Sequence, residues 1–404
     1  MIRRLIVFCL RVLARFVVVP LFWLAEHVTR IRITPVYTAR IGHLAINTYL
    51  YIADGRARDQ ANGTHRLLFG YNPCNRTLFE ALRREVRIFE NRLLTFFYMS
   101  SQDILEAVPT FLTLPHEIGE DRVTNAYQVM DRCEPRLRLS AEEERAGHEL
   151  LERMGVGRDD WFVCFQARDP AYHVNRVRDD RAARHWAQGN SDIATYMEAA
   201  EYITSLGGYA IRMGSVVTAP LPQTSNPRII DYATDFRSDL GDIYLLSHCR
   251  FSLAAPTGTS IIPTIFGVPV AMANQLPLVP NPIGRHGLYN PKLIYSKASG
   301  KPWTFAEHFA HIGSAERYYL TVRIWSKFDT YETDTHGVLD NTPGEIRELC
   351  QDMFDQLEGR PVDPLAAELQ DAYREKFFKT HPDVYTYGPK MGPRFLLRHQ
   401  DLLN

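Results

Sequence analysis

Strand-like and helix-like segments alternate through the second half of the chain, and this alternation restricts the possible fold more than any other feature. Apolar runs rich in β-branched residues predict strands at 161–166, 209–213, 228–232, 251–255 and 268–274. Amphipathic segments with capping residues predict helices between them at 192–206, 239–248 and 257–266. Because helices connect successive strands, the pattern indicates βαβ units and a parallel sheet.

The first half shows the same alternation less regularly. We predict strands at 31–38 and 67–71, a polar loop at 54–64, and helices at 44–53, 76–98 and 140–154. Beyond residue 300 the chain becomes mainly helical, with predicted helices at 304–311, 343–357 and 364–379. A chain of 404 residues is long enough for two or three domains of about 150 residues. The predicted fold class is therefore α/β, with two domains in tandem and helices closing the chain.

Charge, cysteine content and missing motifs exclude several classes of protein. The 46 basic and 47 acidic residues give a net charge of −1, so the whole chain is not a polycation that coats nucleic acid. The 6 cysteines are scattered without a Cys-x-x-Cys pair, which predicts buried free thiols in a reducing, cytoplasmic compartment. The sequence lacks the phosphate-loop motif of P-loop nucleotidases and the Gly-x-Ser-x-Gly motif of α/β-hydrolases.

An apolar segment at residues 5–25 lies in the most basic part of the sequence. The first 40 residues contain seven arginines and one glutamate. Arg4, Arg11 and Arg15 share one side of a helix, beside a broad apolar face. This pattern favours a basic amphipathic helix, within residues 1–30, that lies in the headgroup plane of an anionic membrane. A helix that spans the bilayer and a helix that packs on the protein's own core are the alternatives.

The segment Thr257-Gly258-Thr259-Ser260 follows an apolar strand and opens a predicted helix. At such a turn the backbone N–H groups and the positive end of the helix dipole point outward, and glycine lets a ligand approach the backbone closely. Three hydroxyls and a glycine in this position predict a phosphate-binding turn. The alternative is ordinary N-capping by Thr or Ser.

The order of these motifs along the chain resembles a known enzyme family. The arrangement strand–TGTS–helix–FGVP–strand is similar to the donor-domain signature of GT-B glycosyltransferases, which in that family holds the diphosphate of a nucleotide sugar. More narrowly, the chain from residue 36 onward resembles a bacterial family of GT-B-type glycosyltransferases associated with surface-polysaccharide gene clusters. The segments that carry the resemblance are 40–44, 165–169, 190–193, 211–214, 230–233, 238–245, 257–260, 266–269 and 341–343.

The resemblance implies two Rossmann-like domains in tandem, in a GT-B-like arrangement. An acceptor domain would comprise 31–157, a nucleotide-sugar donor domain 158–330, and a C-terminal helical extension 331–404. The implied activity is transfer of a sugar from a nucleotide-activated donor to a lipid-linked or glycan acceptor in bacterial surface polysaccharide or glycolipid synthesis. The implied location is peripheral, at the cytoplasmic face of the inner membrane, with contact through residues 1–28 and with no nucleic acid partner.

Two arginines at or just after the C-terminal ends of predicted strands are candidates for binding the donor phosphates. Arg168 matches an arginine that protein O-fucosyltransferases and their relatives place against the donor, and a fixed guanidinium can offset charge on a departing diphosphate. The alternative is a salt bridge with Asp169 or Asp180. Arg212 lies at the C-terminal end of another predicted strand, where open α/β sheets bind ligands, and Asp231 is assigned to the same donor site. The alternative for Arg212 is a structural ion pair with Asp231.

The chain departs from the family pattern at one position. An arginine usually precedes the Asn-Ser-Asp segment in the family, and Gln188-Gly189 stands there in this sequence. Any role of that arginine must therefore be absent here or filled by Arg181 or Arg184.

His43 is the candidate catalytic base. It follows Gly42 in the first strand-to-helix turn, where several GT-B families place a Gly-His pair whose imidazole deprotonates the acceptor hydroxyl. An imidazole with a pKa near 6.5 suits a general base at neutral pH. The alternative is a histidine that caps the helix or is satisfied in the core. Other candidate bases are His116, Glu117 and Glu120.

No cofactor and no metal are expected, and the nucleotide sugar is a substrate. No useful Asp-x-Asp motif occurs, and two arginines with a helix N-terminus can supply the electrostatic role of a divalent ion. Two other functions are compatible with the same residues. One is a nucleotide-sugar epimerase on the same fold, and the other is a non-catalytic, membrane-bound protein that binds sugar nucleotides.

Overall fold

The chain folds into two compact units, each built around a parallel β-sheet. The computed structural model describes residues 2–112, 114, 129–132, 134, 137–171, 187–276, 283–312, 332–380 and 388–403. The first unit comprises Met1–Asn125 and Arg136–Arg138, and the second comprises Ala126–Pro135 and Leu139–Asn404. The predicted α/β class, with parallel sheets, an N-terminal helix and C-terminal helices, is confirmed.

The first unit contains three parallel strands in the order β1-β2-β3 among its described residues. The strands are Ile31–Pro35 (β1), His65–Gly70 (β2) and Ile88–Glu90 (β3). A helix that includes one widened π-turn, Ile2–Ala25 (α1), precedes them. The other helices are Ile41–Leu50 (α2), Arg56–Ala61 (α3), Arg76–Glu85 (α4) and Arg92–Leu105 (α5).

Two sequence-based predictions in this unit are wrong. The single helix predicted at 76–98 is two helices separated by β3. Val86 takes an extended backbone conformation that ends the first helix, and Asn91 starts the second by accepting a hydrogen bond of 2.9 Å from the Leu94 amide. The polar loop predicted at 54–64 is helical as far as Ala61, because tertiary packing of Tyr51 and Ile52 extends the preceding helix through a π-turn.

Among the residues described in the second unit, seven strands form a parallel sheet in the order β12-β9-β8-β7-β4-β5-β6. Its first six strands in the sequence have the arrangement of a doubly wound Rossmann sheet, whose strand order reverses between β4 and β7. The strands are Phe162–Gln166 (β4), Tyr209–Arg212 (β5), Ile229–Ile230 (β6), Ser252–Ala254 (β7), Val270–Gln275 (β8), Leu288–Pro291 (β9) and Lys390–Met391 (β12). Leu293–Ser296 (β10) and His336–Leu339 (β11) form a separate antiparallel pair.

Helices cover the large sheet and close its core. They are Ala141–Arg153 (α6), Met197–Ser205 (α7), Tyr232–Asp235 (α8), Asp239–His248 (α9), Ile262–Phe266 (α10), Phe305–Ile312 (α11), Pro343–Leu357 (α12), Pro364–Thr380 (α13) and Pro393–Arg398 (α14). The helix predicted at 140–154 is present as α6, and Ser140 and Glu143 form a capping box at its start. A Cβ atom on Gly147 would lie 2.0 Å from the Tyr244 ring, so glycine permits the close packing of α6 on α9.

The prediction that the cysteines are buried holds only in part. Cys164, Cys249 and Cys350 are buried free thiols, and burial raises the pKa of the Cys350 thiol well above its usual range. Cys9 and Cys74 are free but exposed, so the prediction is wrong for these two residues. Cys9 is exposed because it lies on the outer face of α1.

Candidate functional site

The candidate site is built at the point where the strand order of the large sheet reverses. Strands β4 and β7 are neighbours there, with Gln166 opposite Ala254 in the register. In open α/β sheets this position, outside the carboxyl ends of the strands, is where ligands bind. Arg168 follows β4, and the segment from Pro256 to Ser260 follows β7. The fold therefore brings together the two features that the sequence analysis assigned to the donor phosphates.

Gln166 organises the turn after β7 through both ends of its side-chain amide. Its Nε2 atom donates to Thr257 Oγ1 at 3.1 Å, and its Oε1 atom accepts from Thr259 Oγ1 at 2.8 Å. The two threonine hydroxyls lie 2.9 Å apart. Gln166 is almost fully buried, and a buried amide with both ends satisfied holds its partners in one geometry. Sequence analysis missed this residue, although its position as the last residue of a buried strand was visible.

The turn itself differs from the predicted helix at 257–266. A 3-10 turn runs from Gly258 to Ile261, and the α-helix begins only at Ile262. The Ser260 hydroxyl donates to the Thr257 carbonyl oxygen at 2.7 Å. The three hydroxyls thus already have partners within the protein, while Gly258 is exposed. A phosphate at this turn would meet backbone N–H groups first, and the hydroxyls only after a change of partner.

Arg168 links the segment that follows β4 to the segment that follows β7. Its Nη1 atom donates to the Pro256 carbonyl oxygen at 3.0 Å, and its backbone exchanges hydrogen bonds with Ser191. Burial lowers the pKa of the guanidinium to about 10, so it keeps its charge at neutral pH. A Cβ atom on Gly189 would lie 3.2 Å from the guanidinium carbon, so glycine at this position lets the Arg168 side chain pack closely against the backbone. Gly189 belongs to the Gln188-Gly189 pair at which the sequence departs from the family pattern.

Asp169 and Asp180 were the alternative partners proposed for Arg168. Asp169 accepts hydrogen bonds from the backbone amides of Thr218 and Ala171, each at 2.8 Å. Asp180 lies outside the described residues, as do Arg181 and Arg184. Asp169 therefore serves to hold the chain after β4 against the chain after β5.

Lys292 is a buried cation at the same edge of the sheet, just after β9. Its Nζ atom donates to the carbonyl oxygens of Gln188 at 2.9 Å and Asn190 at 2.6 Å, and it lies 2.7 Å from an Asp340 carboxylate oxygen. Burial lowers the pKa of Lys292, the hydrogen bond and charge of Asp340 oppose that lowering in part, and the charge of Arg168 adds to it. Sequence analysis missed this lysine because β9 was not predicted.

Arg212 is already paired inside the protein. Its Nη1 atom lies 3.0 Å from Asp231 Oδ2 and donates to the Ala219 carbonyl oxygen at 2.9 Å. Asp231 also accepts hydrogen bonds from the Leu221 amide and the Thr234 hydroxyl. This is the ion pair that the sequence analysis gave as the alternative role of Arg212. A role of this pair in donor binding stays a prediction.

His43 lies in the first unit, in the first turn of α2 after β1. Its ring is partly exposed, with the Asn47 side-chain amide 3.5 Å from Nδ1 and the Tyr37 ring centroid at 5.9 Å. Burial lowers the pKa of His43, and the positive charge of Arg40 lowers it further. The imidazole is therefore neutral at pH 7, which is the form that accepts a proton. The other candidate bases, His116, Glu117 and Glu120, lie outside the described residues.

A cavity of about 500 Å³ in the first unit lies away from His43. It opens near the N-terminal ends of β1 and β2, where its lining includes Arg32, Arg66 and Asp59. Arg66 and Asp59 form an ion pair of 2.8 Å there. Ligand sites of parallel sheets lie at the opposite strand ends, so we do not assign this cavity to the candidate site.

The candidate residues thus form three groups. Arg168 and the Thr257–Ser260 turn lie together, Arg212 and Asp231 form a pair at the ends of β5 and β6, and His43 belongs to the other unit. Within the described parts of the chain, no three His, Cys, Asp or Glu side chains are grouped so that they could hold a metal ion.

Comparisons with known proteins give fold similarities only. No family model and no curated protein match the sequence. ADP-heptose LPS heptosyltransferase II of E. coli is 11% identical, with a TM-score of 0.47, over 81% of this chain and 100% of that one. A family 9 glycosyltransferase of Veillonella parvula is 10% identical, with a TM-score of 0.39, over 65% and 86%. The iron-containing glycosyltransferase TibC of enterotoxigenic E. coli is 14% identical, with a TM-score of 0.35, over 63% and 62%. At these identities and TM-scores, the similarities identify no family.

Proposed function

We propose that this protein is a GT-B-type glycosyltransferase that moves a sugar from a nucleotide-activated donor to a lipid-linked or glycan acceptor. The observation that carries the proposal is the fixed contact between Arg168 and Pro256 where the strand order reverses. It places a guanidinium beside a glycine-containing turn at the position where doubly wound sheets bind nucleotides. The negative charge of a diphosphate suits both groups.

Arg168 and the Thr257–Ser260 turn would bind the donor diphosphate. In the reaction the bond between the anomeric carbon and the phosphate oxygen breaks, and negative charge grows on the leaving diphosphate. A guanidinium and backbone N–H groups that are already in place stabilise this charge without reorganisation. We therefore propose that the reaction needs no metal ion and no cofactor.

His43 would accept the proton of the acceptor hydroxyl as that oxygen attacks the anomeric carbon. Its lowered pKa keeps the imidazole neutral at physiological pH, so it is ready to act as a base. In this assignment the second unit binds the donor and the first unit supplies the base and acceptor contacts. The Arg212–Asp231 pair would support the chain that borders the nucleotide.

We further propose that the protein works peripherally at the cytoplasmic face of a bacterial inner membrane, where lipid-linked acceptors of surface polysaccharides are made. The exposed apolar residues of α1 support contact with a membrane. Such a location brings the enzyme to an acceptor that is confined to the bilayer.

The proposal is tested first by calorimetry with ADP, UDP, GDP and CMP, comparing the wild type with Arg168→Ala. Binding of one nucleotide, weakened in Arg168→Ala, is the expected result. A panel of nucleotide sugars is then incubated with membrane extract as the source of acceptor. Nucleotide release that requires the extract indicates a transferase, conversion of the donor sugar without extract indicates an epimerase, and binding without turnover indicates a non-catalytic protein.

A further inference from the structure

The outer sides of two neighbouring helices, α1 and α5, expose an unusual amount of apolar surface. In α1, Phe16 is 69% exposed and Trp23 is 57% exposed. In α5, Leu93 is 79% exposed and Met99 is 54% exposed. Other residues of α1 that share this exposure are Ile2, Leu5, Ile6, Phe8, Leu21 and Leu24. Contiguous apolar surface of this kind marks a site of interaction.

The inner side of α1 belongs to the hydrophobic core of the first unit. Ala14 is fully buried, and Val18, Val19 and Phe22 pack against a cluster that includes Tyr98 of α5. The ring of Phe22 meets the ring of Phe111 edge-on at 4.9 Å. The helix therefore has two faces with different environments, and its inner face is partly covered by protein around Ala14.

Polar contacts tie α1 to the rest of the first unit at two places, near the middle of the helix and just after its end. The Nη1 and Nη2 atoms of Arg11 each donate to the Asp103 carboxylate at 2.8 Å, and Nη1 also donates to the Ser100 carbonyl oxygen at 3.2 Å. After the helix, the Glu26 carboxylate binds Arg32 at 3.0 Å. The contacts of Arg11 fix the register in which α1 lies on α5, and the contact of Glu26 ties the end of the helix to β1.

The packing bears on whether α1 crosses a membrane. The helix has 24 residues and a mean hydropathy of 2.4 over its most apolar window, enough to span a bilayer by length and composition alone. A spanning helix is surrounded by lipid, so α1 would have to leave Tyr98 and Phe111 and give up the Arg11–Asp103 contact. The core packing opposes that movement, whereas the exposed face is free to meet lipid with the helix in place.

The charges on α1 identify the occupant of this face. The helix contains four arginines and no acidic residue. Arg11 is paired with Asp103, while Arg3, Arg4 and Arg15 are exposed. Exposed arginines beside an apolar face suit a surface that offers both hydrocarbon and phosphate anions, which is an anionic lipid bilayer.

We propose that the exposed sides of α1 and α5 form one membrane-binding face, defined by Phe8, Phe16, Trp23, Leu93 and Met99. This face enters the headgroup region of an anionic leaflet while α1 stays packed on its own unit, so the protein is monotopic. The proposal rests on the proposed membrane association and goes beyond it by adding α5 and by excluding a spanning helix. It does not depend on the transferase reaction.

The first test measures co-sedimentation of the full-length protein with vesicles of phosphatidylcholine, with and without phosphatidylglycerol. The variant Leu93→Glu/Met99→Glu removes the contribution of α5 and leaves α1 intact. The matched control is Leu206→Glu/Leu365→Glu, which alters leucines of the second unit that are 45% and 46% exposed. We expect the α5 variant to bind anionic vesicles at least about tenfold more weakly and the control to bind like the wild type. Equal binding of both variants would overturn the role of α5.

The second test measures how deeply Trp23 enters the bilayer. Lipids brominated near the headgroup or near the chain end quench tryptophan fluorescence at different depths, and Trp23→Phe identifies the part of the signal that belongs to this residue. Stronger quenching by the shallow bromines supports the monotopic arrangement. Protease cleavage of residues 1–10 only from the opposite side of sealed vesicles would show a spanning helix and overturn it. If the wild type binds no vesicles, the proposed membrane association fails as well, whereas nucleotide binding is unaffected by any of these outcomes.

Discussion

Arg168 donates a hydrogen bond of 3.0 Å to the carbonyl oxygen of Pro256, and this contact joins the ends of the two strands between which the sheet reverses its order. The guanidinium is half-buried and keeps its charge, because burial lowers its pKa only to about 10. A positive group held in this way is ready for a negative ligand at the Thr257–Ser260 turn. The pairing of β4 with β7 therefore places the charge of Arg168 beside the turn that we propose binds the donor diphosphate.

Replacement of Arg168 should weaken nucleotide binding. A hydrogen bond to a charged group contributes about 1.5–3 kcal/mol, so Arg168→Ala should raise the Kd of a nucleoside diphosphate by about tenfold to a hundredfold. Arg168→Lys should lie between, because lysine keeps the charge without the planar fork. Calorimetry measures the affinities, and Arg228→Ala, an exposed arginine of the same unit, is the control. An unchanged Kd in a folded Arg168→Ala protein would contradict the donor-site assignment.

Gln166→Leu should loosen the turn after β7. The substitution keeps the size of the side chain and removes the hydrogen bonds to Thr257 and Thr259. We expect the free energy of unfolding to fall by about 1–3 kcal/mol, measured by urea denaturation, and nucleotide affinity to fall with it. Gln223→Leu changes an exposed glutamine of the same unit and should alter neither quantity. If Gln166→Leu weakened neither, the turn would not depend on Gln166.

The sequence was most informative where local chemistry decides the structure. The helix at 343–357 has the predicted limits because Thr342 and Glu345 form a capping box, and α9 begins as predicted because Ser238 accepts a hydrogen bond from the Gly241 amide. The alternation of apolar strands and helices predicted the parallel sheet correctly. Strand β3 was missed because its three residues interrupt a pattern of apolar positions that also fits one long helix.

The organisation of the site depends on contacts between residues far apart in the sequence. Gln166 and Thr259 are 93 positions apart, and only the pairing of β4 with β7 brings them together. Asn274 and Asn341 are also far apart in the sequence. The side-chain oxygen of each accepts a hydrogen bond of 2.7 Å from the backbone amide of the other. Motif spacing located the phosphate-binding candidates, but no local pattern could show that the threonine hydroxyls are already bound.

The proposed base gives a prediction about pH. Burial and the charge of Arg40 both lower the pKa of His43 below its usual value of about 6.5. A base acts in its neutral form, so kcat/KM should fall only as pH drops through this lowered pKa. Arg40→Gln should raise the pKa and move the acid limb of the pH profile upward, whereas Arg30→Gln should not. If the His43→Ala variant kept the kcat of the wild type, the catalytic base would be a residue other than His43.

Asp242 should make the stability of the protein fall as pH rises. Burial raises the pKa of this carboxyl to about 6, and the nearby Arg237 offsets the effect only in part. Between about pH 4 and 6 the folded state therefore holds more protons than the unfolded state, so the free energy of unfolding decreases through this window. Asp242→Asn cannot titrate and should gain stability relative to the wild type as pH rises. Urea denaturation at several pH values measures this, with Asp401→Asn as the control for loss of one charge.

Two phenylalanines of α1 should separate the stability of the first unit from its membrane binding. Phe22 contacts Phe111 at 4.9 Å, so Phe22→Ala should lower the free energy of unfolding by about 1–3 kcal/mol. Phe16 is 69% exposed, so Phe16→Ala should leave stability within about 0.5 kcal/mol and instead weaken binding to anionic vesicles. Urea denaturation in mild detergent and vesicle co-sedimentation measure the two quantities. If Phe16→Ala were the destabilising variant and Phe22→Ala the one that released the protein from vesicles, the inner and outer faces of α1 would have been assigned the wrong way round.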